Sequence, residues 1–217
     1  MLKDWNFWCS ILTAFTAVRA LVLSCLQISL SNKQHLFDRR LKTYMLTNGL
    51  ISLCKGCYAL LSAEREDIPQ FANDYMFTLL TNNAYMESQS NVIEHPLEQP
   101  FHKEFLRKRE EIRNTAMEIE LIFKGKAALA YSNFLRAYES SLDVMYQYQI
   151  VLDKMKKENY IHHITTEESG KMFSEKKYRD NRYDALEKLR KAYDAVAQDN
   201  IEKRMKKQLK LITNIKR

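Results

Sequence analysis

Apolar residues crowd the first part of the chain and then thin into stripes. Between Phe7 and Leu30, 17 of the 24 positions are apolar. A helix of that length exceeds the roughly 20 residues needed to cross a hydrocarbon core about 30 Å thick. Beyond Ser31 the continuous run becomes one face. Phe37, Leu41, Tyr44, Ile51, Tyr58 and Leu61 recur at helical spacing, with Asn48 in the same register, which predicts that the helix continues. Gly49 and Gly56 weaken it by about 1 kcal/mol each relative to Ala without ending it. Its end is expected within residues 63–67. Asp67 is the expected N-cap of a second helix, with Pro69 in its first turn, running to about Ile93.

Pro96 and Pro100 mark the longest non-helical connection. The cleanest pattern follows them. Steps of three or four from Phe101 visit 16 positions up to Met155, and 14 of these are apolar, Arg109 and Ser141 being the exceptions. The spacing predicts one amphipathic helix of up to about 80 Å, with Gly125 as a kink. Residues 157–166 are polar. Thr165 or Thr166 can cap a final helix, with Glu167 and Glu168 favourable in its first turn, and Leu186, Leu189, Tyr193 and Val196 continue it. The expected class is all-α: a long antiparallel helical bundle or coiled-coil hairpin with an amino-terminal transmembrane helix. Residues 1–31 form the transmembrane helix, 32–200 a cytoplasmic bundle, and 201–217 a basic amphipathic segment.

Composition agrees with this class. The chain of 217 residues has 4 Gly and 3 Pro, too few for architectures that need a turn residue at every corner. At 46% apolar and 28% charged it is not disordered by composition. The net charge of +7 is uneven: residues 171–217 hold 15 basic and 7 acidic side chains, and the rest of the chain is close to neutral. A nucleic-acid footprint over a whole face of the fold is therefore not favoured. From Lys203 onward there are seven basic residues and no acid. Ile201, Met205, Leu209, Ile212 and Ile215 share one helical face there, with Lys203, Arg204, Lys206, Lys207 and Lys210 among the cations around it. Such a helix suits an anionic lipid surface, an acidic partner or nucleic acid, or it is a bundle helix with a solvated basic face.

Charge also sharpens the reading of the first helix. Arg19 is the one charged residue between Phe7 and Leu30 and sits near the midpoint. Eleven Leu, Ile, Phe and Val residues there contribute about −3 to −7 kcal/mol to insertion, against about +2.5 to +3.5 for a central Arg. Insertion is expected, by a narrow margin. Trp5 and Trp8, the only tryptophans, stand at one end as interfacial anchors do, and Lys33, Arg39, Arg40 and Lys42 follow the other. The positive-inside bias orients the amino terminus outward and the bulk of the chain into the cytoplasm, at a bacterial inner membrane. Thr13, Thr16, Ser24 and Gln27 lie on the same half of the helix as Arg19. That polar face predicts helix–helix contact within the bilayer, in a homo-oligomer or with a protein partner. The competing readings are a cleaved leader, for which no A-x-A-like site follows, and a helix buried in a soluble oligomer.

No pattern of catalytic residues emerges. Cys54 and Cys57 have C-x-x-C spacing inside a helix with no second ligand pair, so structural thiols are expected, and Cys9 and Cys25 read as packing residues. His162 and His163 fall in a polar loop. Glu110, Glu111, Glu118 and Glu120 read as solvated, and Tyr146 and Tyr148 as core. No Walker loop, dinucleotide fingerprint, nucleophile elbow or di-iron pair is present. No cofactor and no metal are expected, and no enzyme is predicted.

The segment from Ser31 to Tyr44, SNKQHLFDRRLKTY, directly after an apolar helix, resembles uncharacterised bacterial proteins with one amino-terminal span and a helical cytoplasmic region. Leu80–Glu87 and His95–Phe105 belong to the same resemblance. It implies a membrane-anchored helical protein and transfers no catalytic residue. The expected function is membrane-anchored interaction or self-assembly. The alternatives are a soluble helical oligomer whose basic tail binds nucleic acid, or a pore-forming effector of the phage-defence type.

Overall fold

Every regular element among the described residues is a helix, as the stripes require. The computed structural model describes residues 2–198 and 200–209. Lys210, Ile212 and Ile215, expected on the last helix, lie outside the described residues.

Helix α1 (Leu2–Gly56) is unbroken over 55 residues, about 80 Å. All of residues 7–30 are exposed, whereas Thr43, Tyr44, Thr47, Leu50 and Cys54 are buried. The first half therefore projects from the molecule and the second half belongs to its core. A short helix, α2 (Tyr58–Leu61), completes the expected first segment.

The second helix begins later and is shorter than its pattern predicts: α3 covers Asn73–Thr81 with Ala72 at its N-cap. Asp67 does not cap it, and its side chain is 98% exposed. The preceding connection is extended because its backbone finds partners elsewhere. Glu66 N donates to the Tyr183 hydroxyl at 3.1 Å and Gln70 N to the Tyr148 hydroxyl at 2.8 Å. After Thr81 the chain turns, with Met86 N donating to the Asn83 side-chain oxygen at 2.9 Å, an Asn-centred turn that ends the helix. A 3-10 helix, Glu87–Ile93, stands where α-helix was expected.

The long helix expected from Phe101 to Met155 is two helices folded back on each other, α4 (Phe101–Ile122) and α5 (Gly125–His162). Phe123 and Lys124 are extended and Gly125 has φ +80°, a left-handed conformation that suits glycine. Pairing across the hairpin is antiparallel: His102 meets Tyr146, Arg109 meets Glu139 and Asp143, and Ser132 meets Glu120. The 3.6-residue stripe passes through the break because both helices present it to one interface.

Helix α5 extends through most of the stretch read as a polar break and ends at His163, in the left-handed region. Thr165 then caps α6 (Thr166–Met172) in a reciprocal box with Glu168. After Ser174, α7 (Glu175–Ala197) returns antiparallel to α5, with Ser141 Oγ donating to Ala185 O at 3.1 Å. Helix α8 (Ile201–Leu209) closes the described chain. Helix α5 is central, between α4 and α7, with α1, α3 and α8 packed around them. Leu50, Phe77, Phe105, Ile112, Phe134, Leu142 and Leu189 make the fully buried core.

Candidate functional site

The projecting half of α1 is the most unusual surface of the molecule. It is long and apolar enough to cross a membrane, with a mean hydropathy of 1.9 over its most apolar window and none of that window buried. Phe15, Val18, Leu21, Leu23 and Leu26 are all more than half exposed. Isolated exposed apolar residues are ordinary, but a patch of this size marks a surface that something covers. Trp5 and Trp8 are exposed at its start, and Phe7 packs edge-on against Trp8.

Arg19 is exposed midway along, its guanidinium 4.8 Å from the centre of the Phe15 ring one turn earlier. Among the described residues no carboxylate pairs with it. The two threonine hydroxyls on the same half of the helix turn inward on the backbone: Thr13 donates to Cys9 O at 2.8 Å and Thr16 to Thr13 O at 2.9 Å. Neither adds a free donor to the helix surface. Gln27 is exposed, as are Cys9 and Cys25, which pack against nothing in the bundle.

Helix α8 fixes where its cations point. Met205 is fully buried, with Ile201 and Leu209 half-buried one turn on either side, so the apolar face is already used by the bundle. Lys203 and Lys207 then lie opposite it, and Arg204 and Lys206 flank them, all exposed. Lys206 holds Glu202 at 2.6 Å, and this hydrogen bond keeps the Glu202 carboxyl below its ordinary range. Tyr44 on α1 donates to the same carboxylate at 3.3 Å. Lys210 lies outside the described residues.

One arginine joins these parts. Arg40 Nε donates to Ile122 O at 2.7 Å and its Nη1 to Gln208 O at 3.0 Å, with the guanidinium over the Phe123 ring. It thereby satisfies the carbonyl of Ile122, the last residue of α4, which has no partner inside its own helix, and ties Gln208 of α8 to the same point. Gln208 and Lys124 exchange two further hydrogen bonds, of 2.8 and 3.0 Å. Nearby, Arg39 pairs with Glu118 at 2.7 Å. The α4–α5 turn, the end of α8 and the middle of α1 thus meet at the end of the bundle from which α1 projects.

The interior carries polar groups that the stripes did not announce. Arg109, the charged exception in the long apolar register, pairs with Glu139 at 2.7 Å and Asp143 at 2.6 Å, and Arg113 reaches Glu139 at 2.8 Å. Glu118 and Glu120, read as solvated, hold helices together instead, Glu120 through Ser132 and Arg136. Near the far end, Arg182 donates to Asn73 at 3.0 Å, and Asn73 donates to Gln149 and to Met145 O. Tyr148 donates to the buried Glu175. The sequence held one signal for this cluster: stepping back from Leu186 by four, three and four meets Arg182, Arg179 and Glu175 in the apolar register of α7. A cavity of about 930 Å³ beside Arg179 is lined by four acids and four bases and so carries no net charge.

Cys54 and Cys57 are buried free thiols, and burial pushes both up from the ordinary thiol range, which disfavours the reactive thiolate. His162 pairs with Glu158 at 3.3 Å. Among the described residues no group of three His, Cys, Asp or Glu side chains could hold a metal. Compared with protein-family models, curated proteins and solved structures, the chain finds no match.

Proposed function

We propose that this chain is a membrane-anchored helical protein that self-assembles or binds a protein partner, with residues 7–30 of α1 crossing a bilayer once. One observation carries the reading: a fully exposed apolar helix runs without a break into a folded bundle. Lipid is the solvent that such a surface fits, because every backbone group of a helix is satisfied internally. The amino terminus lies outside, with Trp5 and Trp8 at that interface, and the bundle lies in the cytoplasm of a bacterial cell. The cations of α8, Lys203, Arg204, Lys206 and Lys207, hold the bundle near anionic lipid. Arg19 makes helix–helix contact in the bilayer, because a central charge with no acid in the apolar run around it seeks a partner.

The test is extraction. Membranes from cells expressing the full chain are washed in alkaline carbonate and then in detergent. The protein is expected to stay with the carbonate-washed membrane and to leave as a defined particle in detergent. Release by carbonate as a soluble oligomer overturns the reading and restores the buried-helix alternative. Arg19→Leu is expected to shrink the detergent particle, and an unchanged particle removes Arg19 from assembly.

A further inference from the structure

The α4–α5 turn is a second exposed apolar feature, and nothing in the sequence patterns singled it out. Leu121, in the last turn of α4, is 84% exposed, and Leu129, in the second turn of α5, is 53% exposed. Between them Lys124 and Lys126 are exposed on either side of Gly125. Two exposed leucines bracketing two exposed lysines combine the chemistries of a lipid interface: apolar side chains at the headgroup boundary and ammonium groups on anionic headgroups.

Position decides where this turn sits. The apolar run of α1 ends at Leu30, and Arg40, which grips Ile122 O, lies ten residues on. Ten helical residues are about 15 Å. Arg40 reaches back along its helix towards the amino terminus, as helical side chains do, so the turn it holds is nearer to Leu30 than its own backbone is. Headgroups occupy about 5–8 Å beyond the hydrocarbon core, and the field of an anionic leaflet persists for about 8 Å further at physiological salt. The turn therefore lies within the reach of the headgroups, and a tilt of about 20° brings one side of the bundle closer still. Gln208 of α8 meets Arg40 and Lys124 at this end, so the exposed Lys207 beside it adds to the cations there, while Glu118 and Glu120 are held by Arg39 and Arg136.

We infer that the α4–α5 turn docks on the anionic surface of the bilayer that α1 crosses, with Leu121 at the headgroup boundary and Lys124 and Lys126 on lipid phosphates. This rests on the span proposed above. The turn would then be a second point of attachment, and Arg40 would fix the bundle's orientation relative to the membrane by tying the turn to the helix that crosses it.

The test uses the full chain with Cys9→Ala, Cys25→Ala and Leu121→Cys, the new thiol labelled with an environment-sensitive dye. Cys54 and Cys57 are buried and stay. Tyr160→Cys, at an 83% exposed site near the far end of α5, supplies the reference. The protein is reconstituted into phosphatidylcholine vesicles with and without phosphatidylglycerol, and a headgroup-attached quencher reads proximity. The dye at position 121 is expected to be blue-shifted and quenched in the phosphatidylglycerol vesicles, and the dye at 160 is not. Lys124→Gln with Lys126→Gln is expected to weaken this contact about fivefold per lysine. Protein that floats with the vesicles while position 121 stays as open to water as position 160 overturns the docking and leaves the span intact. Protein that does not float overturns both. Shielding at 121 that is equal in neutral vesicles and detergent, and grows with protein concentration, assigns the turn to a contact between copies and overturns the lipid contact.

Discussion

Arg109 interrupts an otherwise apolar register, and its surroundings explain why the interruption is tolerated. The Glu139 side chain is only 6% exposed and receives both Arg109 and Arg113. Without Glu139, Arg109 keeps Asp143 at 2.6 Å and Arg113 is 56% exposed, so the loss exceeds that of an exposed pair and falls short of stranding a buried charge. Glu139→Ala is expected to lower stability by about 2 kcal/mol, read from chemical denaturation of the full chain in detergent. A loss under about 1 kcal/mol would mean that the pair acts as a surface pair. Burial also raises the thiol of Cys54 and the hydroxyls of Tyr131, Tyr138 and Tyr148 above their ordinary values. Raised acids keep their proton in the fold while the unfolded chain loses it. Their contribution is therefore complete below the unfolded values, about 8.5 for Cys and 10 for Tyr, and is lost as pH rises from there towards the folded values. From neutral pH, denaturation midpoints are expected to be level up to about pH 8.5 and to fall above it. A midpoint that rises above that pH contradicts the burial of these groups.

The elements were legible in part, and the errors share a cause. A stripe at 3.6 residues records which face is buried and says nothing of whether the axis is straight. The steps of four from Ile119 to Phe123 and on to Ala127 illustrate this: all three are in register and buried, yet the axis reverses between the first and the last. Gly125 was visible as a weak point, but its positive φ was not. Asp67 looked like a cap because it precedes a proline-bearing turn, whereas hydroxyls from α5 and α7 had claimed the neighbouring backbone. Thr165 was legible because its cap is local, completed by Glu168 three residues on. Glycine substitutions separate the two kinds of site. Neither Gly56 nor Gly125 has an atom within 4 Å of an added Cβ, so only the backbone decides the sign. Gly125→Ala meets φ +80° and is expected to destabilise by about 1 kcal/mol or more. Gly56→Ala, at the end of a helix with ordinary φ, is expected to stabilise by about 0.4–1 kcal/mol. Thermal denaturation of both variants checks the pair, and shifts of the same sign contradict the hairpin turn.

At the scale of the whole molecule, the sequence held the apolar run, Arg19, the tryptophans and the cations of α8 in plain view, because each is a local composition. The meeting of Arg40, Ile122 and Gln208 was hidden, since residues so distant in the chain become neighbours only in the fold. That meeting gives the molecule two ends. One bears the projecting helix, the α4–α5 turn and the cationic face of α8; the other bears α6 and the buried cluster of Arg182, Asn73 and Tyr148. The central claim is that the projecting helix lies in lipid with its start at an interface. Trp5 and Trp8 are the only tryptophans and both belong to that start. The most direct measurement is therefore the intrinsic fluorescence of the unaltered chain in vesicles whose lipids carry bromine at shallow or deep positions of the acyl chain. Strong quenching by the shallow bromines, and weak quenching by the deep ones, is the expected result. Fluorescence indifferent to bromine at either depth would contradict the account and return the helix to the interior of a soluble assembly.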